Sequence, residues 1–227
     1  MSEIHPILNI GKSDLIGNVV FVHGLNGDAK TTWNIERDKN FSLPICLGQD
    51  FPEVGIWSVG YEVESTAWKG AAMPLVDRAL NVLELLGVNH QLSAHPIVFI
   101  THSMGGLLAK QMLRSASDLG DDRWTSIVER TKGVVFLSTP HTGSLVASLL
   151  RGIKLLYRSD VIPIPLDANH ISITNINSRD GLLYSSINSF VLECITTPGI
   201  NKVHTGDTKN LCIALDEVFK SIQTLDN

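Results

Sequence analysis

Cysteine is scarce and poorly placed for crosslinking: the chain holds only Cys46, Cys194 and Cys212, an odd number with no CxxC spacing. That excludes a disulfide-stapled extracellular framework and points to a reducing compartment, with the three thiols as small core residues. Basic runs are also lacking. Lys and Arg number 18 against 23 Asp and Glu, a formal charge of -5 with an isoelectric point near 5.9, so the electrostatic footprint of a nucleic-acid binder is absent and no nucleic-acid partner is expected. No apolar run approaches the roughly 18 residues that span a bilayer. The first fourteen residues are polar and lack the basic and apolar regions of a signal peptide, so a soluble cytoplasmic protein without a transmembrane segment is the expectation. No His, Cys or carboxylate pair has zinc-ligand spacing, so neither metal nor cofactor is expected.

What the sequence does have is apolar substance in the right rhythm. With 227 residues, 44% of them hydrophobic and 18% charged, it can bury a large core and is expected to form a single domain over 1–227. Short β-branched runs alternate with helical periodicity, the pattern of βαβ units around a mostly parallel sheet. Strands are expected at Asn18–Val22, Gly55–Tyr61, Pro96–Ile100 and Gly133–Ser138. A crossover helix begins near Pro74, carries Leu75, Val76, Ala79, Leu80, Leu83 and Leu86 on one stripe, and stops at Gly87. Another follows the third strand with Met104, Leu107, Leu108 and Met112 in phase and ends before Gly120.

The chemistry lies at the strand ends, where open parallel sheets hold ligands. Thr101-His102-Ser103-Met104-Gly105-Gly106 runs from strand straight into helix. Ser103 therefore sits on a tight turn, as in the G-x-S-x-G elbow, with Gly105 kept and Thr101 in place of the first glycine. These six residues alone fit equally well a serine that merely caps the helix. At the end of the first strand, His23-Gly24-Leu25-Asn26-Gly27 makes a glycine-rich bend whose backbone N–H groups can face an anion. An oxyanion formed on attack by Ser103 would find donors in the Met104 and Leu25 amides.

VVFVHGLNG, FITHSMGGLLA and VVFLSTPHTGS, in that order, resemble the α/β-hydrolases, in particular lipase- and esterase-like members that include the GPI inositol-deacylases and the serine-active-site lipid-remodelling proteins. The resemblance is strongest over 18–148 and leaves 196–227 open. It implies an α/β-hydrolase fold, a mostly parallel sheet with helices on both faces, shortened after the sixth strand. It also implies cleavage of a carboxylic ester, of a lipid or small acyl group, through an acyl-enzyme on Ser103. In this family the acid and the histidine follow the serine, which leaves His141, His170 and His204 as bases. His141 fits a turn at the site mouth, beside His23, Gly24 and His102. His170 lies between a strand-like VIPIPL and a helix-like stretch from Gly181 to Ile195, and DANHISITN is similar to the relatives' histidine motif. His170 is therefore taken as base, with His204 in reserve. The acid is expected at Asp160, with Asp167 as the alternate; the stretch from Ser144 to His170 is short, and the strand that would carry the acid looks missing or fused.

Competing readings remain. The compressed segment fits a catalytically impaired hydrolase-like binding or regulatory module. Leu145, Val146, Leu149, Leu150, Ile153, Leu155 and Leu156 could form a short helix that contacts acyl chains or a membrane surface peripherally, although a core helix is the plainer reading. Gly24 to Thr31 is one residue from a P-loop, but Ala29 stands where the second glycine should be. Trp33 or Trp68 could wall an acyl pocket, and Glu62 and Glu64 are expected to face water. Oligomeric state has no signature in the sequence.

Overall fold

The computed structural model describes residues 2–24, 26–34, 41–62, 73–139, 162–166, 170, 172–196 and 211–217. In chain order the elements are β1 (Glu3–Leu8), β2 (Gly17–Val22), α1 (Leu43–Asp50), β3 (Val54–Gly60), α2 (Leu75–Gly87), β4 (Ile97–His102), α3 (Met104–Leu119), α4 (Asp122–Arg130), β5 (Thr131–Leu137), β6 (Ile162–Leu166), α5 (Leu182–Thr196) and β7 (Leu211–Glu217). A one-turn 3₁₀ segment at Ser172–Thr174 precedes α5. The seven strands form one sheet in the order β1-β3-β2-β4-β5-β7-β6. All neighbours are parallel except β1, which pairs antiparallel with β3.

Both faces of the sheet are covered, which is why its central strands read as unbroken apolar runs. Side chains alternate across a strand with period two. Val20, Val22, Trp57, Val59, Phe99, Val134 and Phe136 thus enter one core, closed by α2, α3 and α4 through residues such as Leu83, Met112 and Ile127. Val19, Phe21, Ile56, Val98, Ile100, Val135 and Leu137 enter the other, closed by α1 and α5 through Leu47, Ile187 and Phe190. This is the expected α/β-hydrolase arrangement. The four expected strands and both expected helices are present, within a residue or two at their ends.

Four elements were not anticipated. β1 lies in the polar N-terminal stretch and holds Pro6 opposite Trp57, with a bulge between Pro6 and Leu8; an edge strand tolerates a proline because one side of it makes no ladder. α1 starts with Pro44 in its first turn. α4 begins where only a helix stop was expected: Gly120, left-handed at φ 67°, ends α3, and Asp121 caps α4 by accepting from the Arg123 and Trp124 amides at 3.0 and 3.3 Å. The strand-like VIPIPL expected before His170 is present as β6, and the helix-like stretch after it as α5. β7, from the segment left open, pairs with β5 on one side and β6 on the other.

Candidate active site

Parallel strands deliver their C-terminal ends to one edge, and there β2 leads to His23, β4 to Ser103 and β5 to Ser138. Ser103 joins β4 to α3 with φ 51° and ψ -125°, a conformation that costs a non-glycine residue about 1–3 kcal/mol and persists only where its surroundings enforce it. Its N–H donates to Leu137 O at 2.9 Å on the adjacent strand, and its carbonyl accepts from Gly106 N at 3.1 Å. Although Ser103 occupies the N-cap position of α3, its side chain makes no capping hydrogen bond. The hydroxyl is therefore not spent on the helix.

Close packing explains the residue types around the turn. A Cβ on Gly105 would lie 2.3 Å from His23 O and 2.4 Å from Val22 O, and one on Gly24 would lie 2.6 Å from Ser103 Cβ. Helix α3 thus starts directly against the backbone of β2. Thr101 is accommodated without a glycine because its buried Oγ1 turns along the sheet and donates to Val135 O at 2.8 Å.

His23 is buried and held on both ring nitrogens. Nδ1–H donates to Gly24 O at 2.9 Å, and Nε2 accepts from Tyr61 N at 3.3 Å. A carbonyl can only accept and an amide can only donate, so these partners fix one neutral tautomer. The Tyr61 ring stacks on the imidazole at 4.3 Å, and its hydroxyl donates to His23 O. Burial holds the His23 pKa below its ordinary value, opposed by the Gly24 hydrogen bond and by the charge of Asp28. His23 was expected at the substrate pocket; its ring instead braces the bend that carries Gly24.

A cavity of about 530 Å³ opens at this edge. The elbow contributes His102, Ser103 and Met104, the loop after β2 contributes Asn26, Gly27, Thr31, Thr32 and Asn34, and the segment after β6 contributes His170, Thr174 and Asn175. Ser103 and His170, 67 positions apart in the chain, thus face one space. His170 is exposed. Its main-chain oxygen accepts from His102 Nε2 at 2.7 Å, and the two imidazoles lie 4.9 Å apart. The described contacts include no hydrogen bond between Ser103 Oγ and His170. Leu25, Trp68, His141, Asp160, Asp167 and His204 lie outside the described residues, as do Glu64 and the apolar stretch 145–156. Among the described residues no group of His, Cys, Asp and Glu could hold a metal ion.

Residues 17–159 match the family model described as the PGAP1-like alpha/beta domain. The chain belongs to that family. Human protein SERAC1 is 31% identical over 162 residues, covering 61% of this chain and 24% of SERAC1, and the zebrafish (Danio rerio) protein of that name is 31% identical over 163 residues with the same coverage. This PGAP1-like chain therefore matches about a quarter of the length of those curated relatives. Looser structural likenesses include the NocB thioesterase domain from the nocardicin cluster, with TM-score 0.43 and 12% identity over 95% of this chain and 88% of that one. A lipase-esterase related protein from Clostridium acetobutylicum gives 0.42 and 11% over 95% and 90%.

The near P-loop of this PGAP1-like domain is not a phosphate cradle. The amides of Lys30 and Thr31, which such a cradle would offer, donate to Asp28 Oδ1 at 2.8 and 3.0 Å, and the buried Ala29 is pinned by Ser58 Oγ donating to its carbonyl at 2.7 Å. Trp33 is fully buried against Phe21 and does not line this cavity, while Glu62 faces water as expected. The sequence reading missed the opposite rim of the cavity, where Asn34 Nδ2 donates to Asn175 Oδ1. Asn34 takes φ 55°, and an isolated asparagine 141 positions from its partner leaves no periodic signal.

Proposed function

We propose that this PGAP1-like domain is a serine ester hydrolase acting through an acyl-enzyme on Ser103. The observation that carries the reading is the Ser103 turn: a strained elbow at φ 51° whose hydroxyl caps nothing and opens into the cavity that His170 also lines. A serine hydroxyl is a weak nucleophile at its own pKa and needs a base. In this reading His170 takes the Ser103 proton as Oγ attacks the ester carbonyl. The Leu25 and Met104 amides receive the resulting oxyanion, a type of interaction for which each donor contributes about 3–4 kcal/mol when tested by removal. Collapse expels the alcohol, which leaves with the proton from His170. Water, deprotonated by the same imidazole, then releases the acid and restores Ser103. Asp160, or else Asp167, orients the imidazole, and His204 is the reserve base. A lipid or small acyl ester is the proposed substrate, no cofactor is required, and the chain acts as one hydrolase domain, with peripheral contact to a membrane left to residues 145–156. No described helix is long and apolar enough to cross a membrane.

Labelling with a fluorophosphonate probe tests this, because such probes modify activated serines. Labelling of the full chain that vanishes in both Ser103→Ala and His170→Ala supports the assignment. Survival in His170→Ala moves the base to His204. Absence of labelling in the unsubstituted chain favours a non-catalytic binding module.

A further inference from the structure

His102 takes no part in the proton transfers proposed for Ser103 and His170, although its position is unusual. It is the last residue of β4 and the immediate neighbour of Ser103, it is 9% exposed, and its imidazole turns toward the segment that carries His170. The contact at 2.7 Å is from Nε2 to the main-chain oxygen of His170. That oxygen can only accept, so Nε2 carries the proton. The bond thus ties the backbone of residue 170 to a residue one peptide from Ser103.

The tie matters because of where His170 stands. It follows β6, which among the described strands pairs with β7 alone, and it is exposed in a turn. Downstream, the segment is anchored by the buried Ile173 and Thr174 and by the Asn34–Asn175 hydrogen bond. His102 supplies the anchor at residue 170 itself. We propose that His102 is a positioning residue: through its Nε2–H bond to the His170 carbonyl it sets the distance between the base and Ser103. This rests on the assignment of Ser103 and His170 as nucleophile and base. An imidazole swung by about 1 Å can cost on the order of 100-fold in rate, so the anchor should act on turnover and leave substrate affinity nearly untouched.

The test uses the full chain and a p-nitrophenyl ester, comparing His102→Phe, His102→Gln and Ser103→Ala, with a thermal melt of each. His102→Phe keeps a ring but no donor and should lower kcat by about 10- to 100-fold, with KM changed less than about threefold. His102→Gln retains an Nε2 donor and should recover most of the loss. Unchanged kcat in a folded His102→Phe overturns the proposal, as does a rise in KM alone, which would make His102 a substrate contact. If His102→Phe does not fold, His102→Gln decides: turnover near that of the parent supports the anchor, and a folded but inactive variant overturns it. Ser103→Ala separates the two levels. Hydrolysis that persists in Ser103→Ala removes the proposed function, and the role of His102 with it, whereas hydrolysis lost there but intact in His102→Phe removes only the present inference.

Discussion

His23 shows how one neutral imidazole can shape a site without entering it. Its two nitrogens are committed to Gly24 O and Tyr61 N, and protonation would set an Nε2–H against an amide that can only donate. Burial accordingly holds its pKa down. The unfolded chain then binds more protons than the folded one between the depressed folded value and the ordinary value near 6.5, so stability rises with pH in that window. His23 thus contributes fully above about pH 6.5, and the contribution is lost as the pH falls toward the folded value. Melting temperatures from pH 8 to pH 5 should drop more for the parent than for His23→Asn; parallel curves would show that the ring is not held neutral. Tyr61→Phe removes the hydroxyl that satisfies His23 O while keeping the stacked ring. Leaving a buried carbonyl with one partner fewer should cost about 1–3 kcal/mol in urea denaturation, and a loss within experimental error would assign Tyr61 to packing alone.

At the scale of elements, the elbow depends on how closely α3 meets β2. Gly105→Ala would put a methyl carbon 2.3–2.4 Å from two backbone oxygens, and backbone cannot rotate aside as a side chain can. About 1–3 kcal/mol of destabilisation is expected from such overpacking, with reduced fluorophosphonate labelling because Ser103 moves with the helix start. Full stability and full labelling would show that the crowding is relieved cheaply. The same elements explain what could be read in advance. β2, β3, β4 and β5 are buried on both faces and announce themselves as runs of Val, Ile and Phe, and α2 keeps one apolar stripe. β1 is half-exposed and carries His5 and Pro6, so no alternation marks it; its place comes from pairing with β3. Ser103 was legible because strand, serine and Gly105 are adjacent. The His102–His170 and Asn34–Asn175 bonds were not, because each joins residues brought together only by the folded sheet.

Over the whole molecule, the last described strand governs a site built mostly from earlier ones. β7 lies between β5 and β6, with Gly133 opposite Leu211 on one side and Leu166 opposite Glu217 on the other. β6 is joined to the rest of the sheet through β7, and His170 follows β6 by four positions. Removing residues 211–227 should therefore act twice. The Val-rich β5 would become an edge with a row of unpaired N–H and C=O groups, a template for association with other chains. β6 would lose its described ladder, and with it the support that brings His170 to the cavity of Ser103. The shortened chain is expected to elute as aggregate in size-exclusion chromatography, to show no cooperative melt, and to take up no fluorophosphonate. A monomer melting at the temperature of the full chain would mean that β7 is dispensable to the sheet. A stable monomer that folds but fails to label would instead locate its contribution in the placing of His170, since the elbow at Ser103 needs only β2, β4, β5 and α3.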